Sequence, residues 1–146
     1  MSFSTEIKEE LCTLKPAGNS RAELYGCLYA AGHLSTAQPQ FFTDHENLAM
    51  RMRRLCRSGW KQEALLDEEE RGYLLTFPQQ CLEDLAPDEA QIRMDLLRSP
   101  EELAAFVRGA FLVCGSITDP MKGYHLEFNP PDAHRTVELQ TLLSSL

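Results

Sequence analysis

The sequence of 146 residues predicts an α+β fold in which an αββαββ unit is followed by the start of a second copy. Two observations lead to this prediction. The stretches LYGCLYAAGHLS (residues 24–35) and VRGAFLVCGSIT (residues 107–118) each indicate a buried helix that stops at a glycine and continues as a strand. The two stretches also align at one constant offset, as between Gly26 and Gly109, which is the signature of an internal repeat.

Residues 1–20 are predicted to form an N-terminal helix and the turn that follows it. Ser4 can cap the first helical turn. The apolar residues Ile7, Leu11 and Leu14 recur at helical spacing, so this helix should lay one face on the protein core.

The first unit is assigned to residues 21–78. It opens with a helix that is apolar on nearly every side and must therefore be buried. Leu34 and the pair Phe41–Phe42 predict two short strands, and a helix follows over about residues 46–58. The segments WKQEALL and GYLLTF predict a second strand pair, with DEEER as the solvated turn between them.

Residues 79–98 are predicted to form a helical connector, broken near Pro87. The second unit is assigned to residues 99–146. Its first helix starts at Ser99 as the cap, with Pro100 at the first helical position. Two strands around DPMKG and an amphipathic helix, DAHRTVELQTLLSSL, follow.

Four matched glycines are predicted to serve the packing of the two units. Gly26 and Gly109 lie inside helices, where glycine costs about 1 kcal/mol relative to alanine, and this cost is tolerated where a second backbone comes close. Gly32 and Gly115 stand where each helix must stop, and the left-handed conformation is expected there. The alternative is two unrelated core helices with incidental glycines.

The composition narrows the classes of function. The net charge is −8, which argues against a strong hold on a phosphate backbone by this chain alone. The five cysteines are scattered without CxxC spacing, so reduced, mostly buried thiols are expected rather than disulfides or a zinc site. The N-terminal residues lack a signal-peptide pattern and no apolar run has the length of a membrane helix, so we expect a cytoplasmic protein without membrane contact.

Two stretches, MSFSTEIKEEL and RGAFLVCGSITDPMKGYHLEF, are similar to the WhiA family of bacterial regulators of sporulation and cell division. The repeated glycine-containing helix also resembles that of the LAGLIDADG homing endonucleases. The resemblance spans essentially the whole chain and implies a degenerate LAGLIDADG homing-endonuclease-like fold. It implies that DNA is bound mainly through a C-terminal helix-turn-helix domain that is absent from this chain, and that the protein is nucleoid-associated. Two further strands are expected after the second unit, so the chain is expected to be a fragment or a shortened relative.

The resemblance also bears on catalysis. Active enzymes of this fold place one acid from each repeat near the end of the glycine helix to hold divalent metals, and those positions are Ala31 and Cys114 here. Metal-assisted phosphodiester cleavage needs such paired carboxylates. The resemblance therefore implies no catalytic residues, no metal and no cofactor. Asp119, in the sequence TDP, is interpreted as a turn residue rather than a catalytic acid.

Basic residues are the remaining candidates for contact with DNA or a protein partner, namely Arg51, Arg54, Arg57, Lys61, Lys122 and His125. For those on the helix over residues 46–58, a solvated helix face is the alternative interpretation. The leading hypothesis is a non-catalytic module of a DNA-binding transcription regulator. A DNA endonuclease of the LAGLIDADG type and a protein-interaction module without DNA binding are the alternatives.

Overall fold

The computed structural model describes residues 2–15, 18–118, 121, 123 and 125–146. Within these ranges the helices are α1 (Phe3–Cys12), α2 (Ser20–Ala31), α3 (Glu46–Trp60), α4 (Gln79–Leu85), α5 (Pro100–Cys114) and α6 (Ala133–Ser144). The strands are β1 (Gln40–Thr43), β2 (Leu65–Glu69), β3 (Gly72–Thr76), β4 (Gly115–Ile117) and β5 (Leu126–Phe128). The predicted α+β class is confirmed. No helix of the described residues has both the length and the apolar character that crossing a bilayer requires.

The strands form two antiparallel sheets. The first has the order β1-β3-β2, with Phe41 opposite Leu75, and the second pairs β4 with β5. The strand predicted at Leu34 is wrong, because this side chain is fully buried in the core and the backbone there makes an isolated bridge between Ser35 and Gln38. The turn predicted at DEEER is too long, since β2 runs to Glu69.

The helix predicted to end near residue 58 is also longer than expected. Helix α3 passes through Gly59 to Trp60, and Lys61 ends it in the left-handed conformation with φ 57°. Trp60 is buried, and its indole Nε1 donates to Asp84 Oδ2 at 2.8 Å. The two added residues therefore place Trp60 against α4. A sequence pattern in which the helix is expected to end at Gly59 does not reveal this contact.

The core of the protein is the pair α2 and α5, whose backbones are in contact at two glycines. A Cβ atom added to Gly26 would lie 2.0 Å from the Phe106 carbonyl oxygen. A Cβ added to Gly109 would lie 2.1 Å from the Glu23 carbonyl oxygen. The offset that relates Gly26 to Gly109 also relates Glu23 to Phe106, so the two contacts are reciprocal. This reciprocity is compatible with a duplicated unit and a pseudo-twofold axis.

The glycines at the helix ends behave differently from each other. Gly32 has φ +85°, as expected, and a Cβ there would approach Pro131 Cγ to 2.8 Å. The expectation that Gly115 adopts the left-handed conformation is wrong, since its φ is −85° and its backbone is extended. Here α5 continues straight into β4, and a Cβ would lie 2.3 Å from Phe111 Cδ2. The second glycine therefore provides room for a phenyl ring rather than a change of backbone direction.

Helix α1 is fastened to the second sheet by Ser4. The cap predicted at Ser4 is wrong, because Ser2 caps α1 by accepting from the Thr5 amide at 3.1 Å. The Ser4 hydroxyl instead donates to the Ile117 carbonyl at 2.9 Å and accepts from the Ile117 amide at 2.6 Å. The Ser4 hydroxyl thus satisfies backbone groups of β4 that a neighbouring strand would otherwise bond.

The connector after the first sheet is held by polar ends of buried side chains. Tyr25 accepts from the Arg93 amide at 2.7 Å, and Tyr29 donates to the Ala90 carbonyl at 3.1 Å. Arg135 of α6 donates to the Tyr29 and Pro87 carbonyls, each at 2.9 Å. Helix α2 therefore anchors both the connector and the last helix.

Replacing either paired glycine by alanine should destabilise the protein. We expect Gly26→Ala and Gly109→Ala each to lower the free energy of unfolding by about 2–3 kcal/mol in urea denaturation, because the new methyl group meets a backbone carbonyl. Gly59→Ala is the control, since a Cβ there would meet the Arg21 side chain at 3.0 Å and the nearest backbone atom at 3.5 Å, and alanine favours a helix by about 1 kcal/mol. Equal unfolding midpoints for all three variants would contradict this packing.

Candidate functional site

A buried ion cluster lies beside the helix pair. Glu23 of α2 accepts from Arg51 Nε at 2.5 Å and Nη2 at 2.9 Å, and from Arg108 Nε of α5 at 2.6 Å. The side chains of Glu23 and Arg51 are each 1% exposed. Buried charges are stable only when paired and hydrogen-bonded, and this bidentate geometry provides both.

The prediction that Arg51 contacts DNA or a partner is therefore wrong. Besides Glu23, its guanidinium donates to the carbonyl oxygens of Cys12, the last residue of α1, and of Leu14, two residues further on. Arg51 thus joins α1, α2 and α3 from inside the protein. The signal that could have revealed it is Glu23, a single acid within an otherwise apolar helix, because such an acid needs a buried cation.

The other basic candidates lie on α3, directly after it, and next to β5. Arg54 is exposed and donates to the Cys12 carbonyl at 3.0 Å, and Arg57 donates to Glu63 at 2.5 Å. Lys61 is exposed at the end of α3. His125 precedes β5, where its Nε2 lies 2.7 Å from Glu127 Oε1. Lys122 and Asp119 lie outside the described residues.

The structure does bring Ala31 and Cys114 together. Both line one groove of about 420 Å³, at the ends of α2 and α5, together with residues of β1 and Asn129. This is the place at which paired helices of this kind would present two carboxylates. Among the residues that the structure describes, the acid that lines this groove is Asp44, from the turn before α3.

Lys8 enters the same groove from α1 and was not recognised from the sequence. It also lines a neighbouring cavity of about 300 Å³, and its Nζ lies 5.5 Å from the centre of the Phe111 ring. Burial lowers the pKa of Lys8. The only signal in the sequence is its position one turn before Cys12, which is buried.

The thiol of Cys114 is a poor nucleophile and a poor ligand for a hard cation. Burial raises its pKa to about 11, because the charged thiolate loses hydration. Mg²⁺ prefers oxygen ligands, and a neutral thiol beside an ammonium group does not suit it. Among the described residues, no group of three or more His, Cys, Asp and Glu side chains is placed to hold a metal ion.

Comparison with known proteins finds similar sequences and a similar fold. The family model described as "WhiA LAGLIDADG-like domain" matches residues 103–146. The "Probable cell division protein WhiA" of Ligilactobacillus salivarius (strain UCC118) is 30% identical over 148 residues, which cover 87% of this chain and 47% of that protein. The crystal structure of full-length DUF199/WhiA from Thermatoga maritima has a TM-score of 0.64 at 22% identity, over 100% of this chain and 51% of that one. That of the N-terminal LAGLIDADG domain of DUF199/WhiA has a TM-score of 0.62 at 22% identity, over 99% and 74%.

The fold is thus that of a LAGLIDADG-like domain. The predicted resemblance to the WhiA family is confirmed, and the chain carries a LAGLIDADG-like domain of the WhiA type. It spans about half the length of the first curated relative that it matches.

Removing the buried guanidinium should have a large effect on stability. We expect Arg51→Met to lower the free energy of unfolding by about 3 kcal/mol, because Glu23 keeps only Arg108 and the Leu14 carbonyl loses the Arg51 donor, while the Cys12 carbonyl keeps Arg54. The control is Arg57→Met on the same helix, where the ion pair with Glu63 is exposed and no measurable change is expected. Urea denaturation of both variants makes the comparison. Similar midpoints would show that the cluster is dispensable.

Proposed function

We propose that the chain is a non-catalytic LAGLIDADG-like module of a bacterial DNA-binding transcription regulator of sporulation and cell division. It acts as a scaffold within the regulator. DNA is reached mainly through a C-terminal helix-turn-helix domain of that regulator. The protein works in the cytoplasm, associated with the nucleoid, and relatives named as cell division proteins support this role.

The observation that carries the proposal is the groove at the helix ends. Ala31 and Cys114 occupy the positions where the fold needs its two acids, and the Lys8 ammonium group lines the same space. A positive charge there disfavours a divalent cation by electrostatic repulsion. The paired-helix architecture is retained while the groups that cleave DNA are replaced.

The internal organisation follows the glycine contacts. The reciprocal approach of Gly26 and Gly109 supports a division into two related units, at residues 21–78 and 99–146. The N-terminal helix of residues 1–20 and the connector of residues 79–98 brace the two units, through Ser4 and the two tyrosines of α2.

Direct DNA contact by this chain is proposed to be weak. The exposed cations on α3 and directly after it are Arg54, Arg57 and Lys61, and Arg57 is already paired with Glu63. Few free cations mean few released counterions and a small salt slope. His125 is exposed beside Glu127, so it adds little positive charge.

Two alternatives stay open to experiment. An endonuclease would need a second carboxylate beside Asp44. A module that binds only proteins would show no DNA binding even at low salt.

Cleavage assays test the non-catalytic proposal. We expect no nicking or linearisation of supercoiled plasmid by the chain with Mg²⁺ or Mn²⁺, because the paired acids are missing. Magnesium-dependent cleavage that is lost in Asp44→Asn, and kept in the control Asp67→Asn on β2, would assign the groove to a nuclease and overturn the proposal.

A further inference from the structure

The first sheet turns one face away from the core, and this face has an unusual composition. Phe41 and Leu75 are buried on the inner side, so their neighbours along each strand point outward. We call this the outer sheet face. It consists of Gln40, Phe42, Leu65, Asp67, Glu69, Gly72, Leu74 and Thr76. None of these described positions carries a lysine or an arginine.

The centre of the outer sheet face consists of apolar side chains whose positions are fixed by the sheet. Phe42 is 46% exposed, Leu65 is 66% exposed, and Leu74 lies between their strands on β3. A Cβ on Gly72 would lie 2.7 Å from Phe42 Cζ, so the glycine lets the phenyl ring lie across β3. Exposed apolar side chains grouped on a rigid sheet mark an interaction surface more often than single exposed residues do.

One side of this apolar centre is acidic. Asp67 and Glu69 point outward from β2, an edge strand of the sheet, and Glu70 is exposed in the turn that follows. Arg71, in the same turn, is the nearest cation in the sequence and lies beyond the end of the face. The surface therefore has a negative rim, which attracts cations and repels phosphates.

We propose that the outer sheet face docks a basic, amphipathic segment of a partner protein, in which lysine or arginine alternates with apolar residues. The apolar residues cover Phe42, Leu65 and Leu74, while the cations pair with Asp67 and Glu69. This inference rests on the proposed function, because it assumes that the sheet does not lie on DNA.

Charge decides between the occupants. A nucleic acid would set phosphates against Asp67 and Glu69 without a cation in between. A second copy whose β2 lies face to face against the first copy's β2 would set the same acids against each other. A basic segment neutralises both carboxylates and buries the apolar centre, so it is the occupant that the face complements.

The test measures fluorescence anisotropy of a labelled 12-residue peptide of alternating lysine and leucine against this chain. The two comparison peptides replace lysine by glutamate or leucine by serine. We expect the lysine–leucine peptide to bind at least about tenfold more tightly than either comparison peptide, because both charge and apolar contact are required. Equal binding of the lysine–serine peptide would overturn the proposal, since it would show charge attraction alone.

Matched variants locate the binding. Asp67→Asn with Glu69→Asn should weaken the peptide about tenfold, and Leu65→Ser should also weaken it. The control, Glu6→Gln with Glu10→Gln on α1, removes the same two charges elsewhere and should leave the dissociation constant within about twofold. An equal loss in the control would place the binding elsewhere on the acidic surface and overturn the proposal.

The outcomes also separate this inference from the proposed function. Absence of peptide binding together with absence of DNA cleavage would refute the docking face alone. Tight binding of labelled duplex DNA to the chain that is weakened by Leu65→Ser would refute the docking face and the weak-contact proposal together. Self-association in sedimentation that is lost in the Asp67→Asn and Glu69→Asn variant would assign the face to a second copy instead.

Discussion

The close approach of α2 and α5 at Gly26 and Gly109 is the constraint on which the rest of the structure depends. Each glycine faces a carbonyl oxygen of the other helix, so neither position has room for a side chain. The contact occupies the side of α2 that faces α5. The other sides of α2 contact further elements. Its tyrosines hold the connector, and the carbonyl oxygen of Tyr29 accepts a hydrogen bond from Arg135 of α6. One tight contact thus organises the connector and the last helix around the pair of α2 and α5.

The buried Glu23 cluster shows how charge is used inside this fold. A carboxylate in the core would be costly alone, yet here it receives donors from α3 and α5 and fixes the position of both helices. The same arrangement fastens the end of α1 through Arg51. Arg51, which the sequence analysis assigned to a contact surface, therefore joins helices inside the protein. The surface that is left for partners is mostly acidic, with an apolar centre on the first sheet.

The sequence analysis predicted the structure correctly where a pattern within a few residues determines it. It failed where contacts between distant residues determine the position of a side chain or the end of a helix. The glycine helices and the helical spacing of the core follow from patterns within a few residues, and the fold class is right. The buried place of Arg51 could not be read from α3, because its partner Glu23 lies on another helix. Ser4 and Gly115 were misjudged for the same reason, since their contacts with Ile117 and Phe111 override the local rules for caps. Only part of the lining of the groove was predicted from the sequence. Ala31 and Cys114 share it, but Lys8 enters from a helix that carries no motif.

The central claim is that this domain positions other parts of a regulator rather than reading DNA itself. Fluorescence anisotropy with mixed duplex DNA across a salt series, with and without magnesium, tests it most directly. The chain is compared with a version extended to the length of its WhiA relatives. The account predicts steep, salt-dependent binding for the extended protein and weak binding, in the range of about 10⁻⁴–10⁻⁶ M, for the chain alone. Tight binding by the chain alone, with a steep salt slope, would contradict the account.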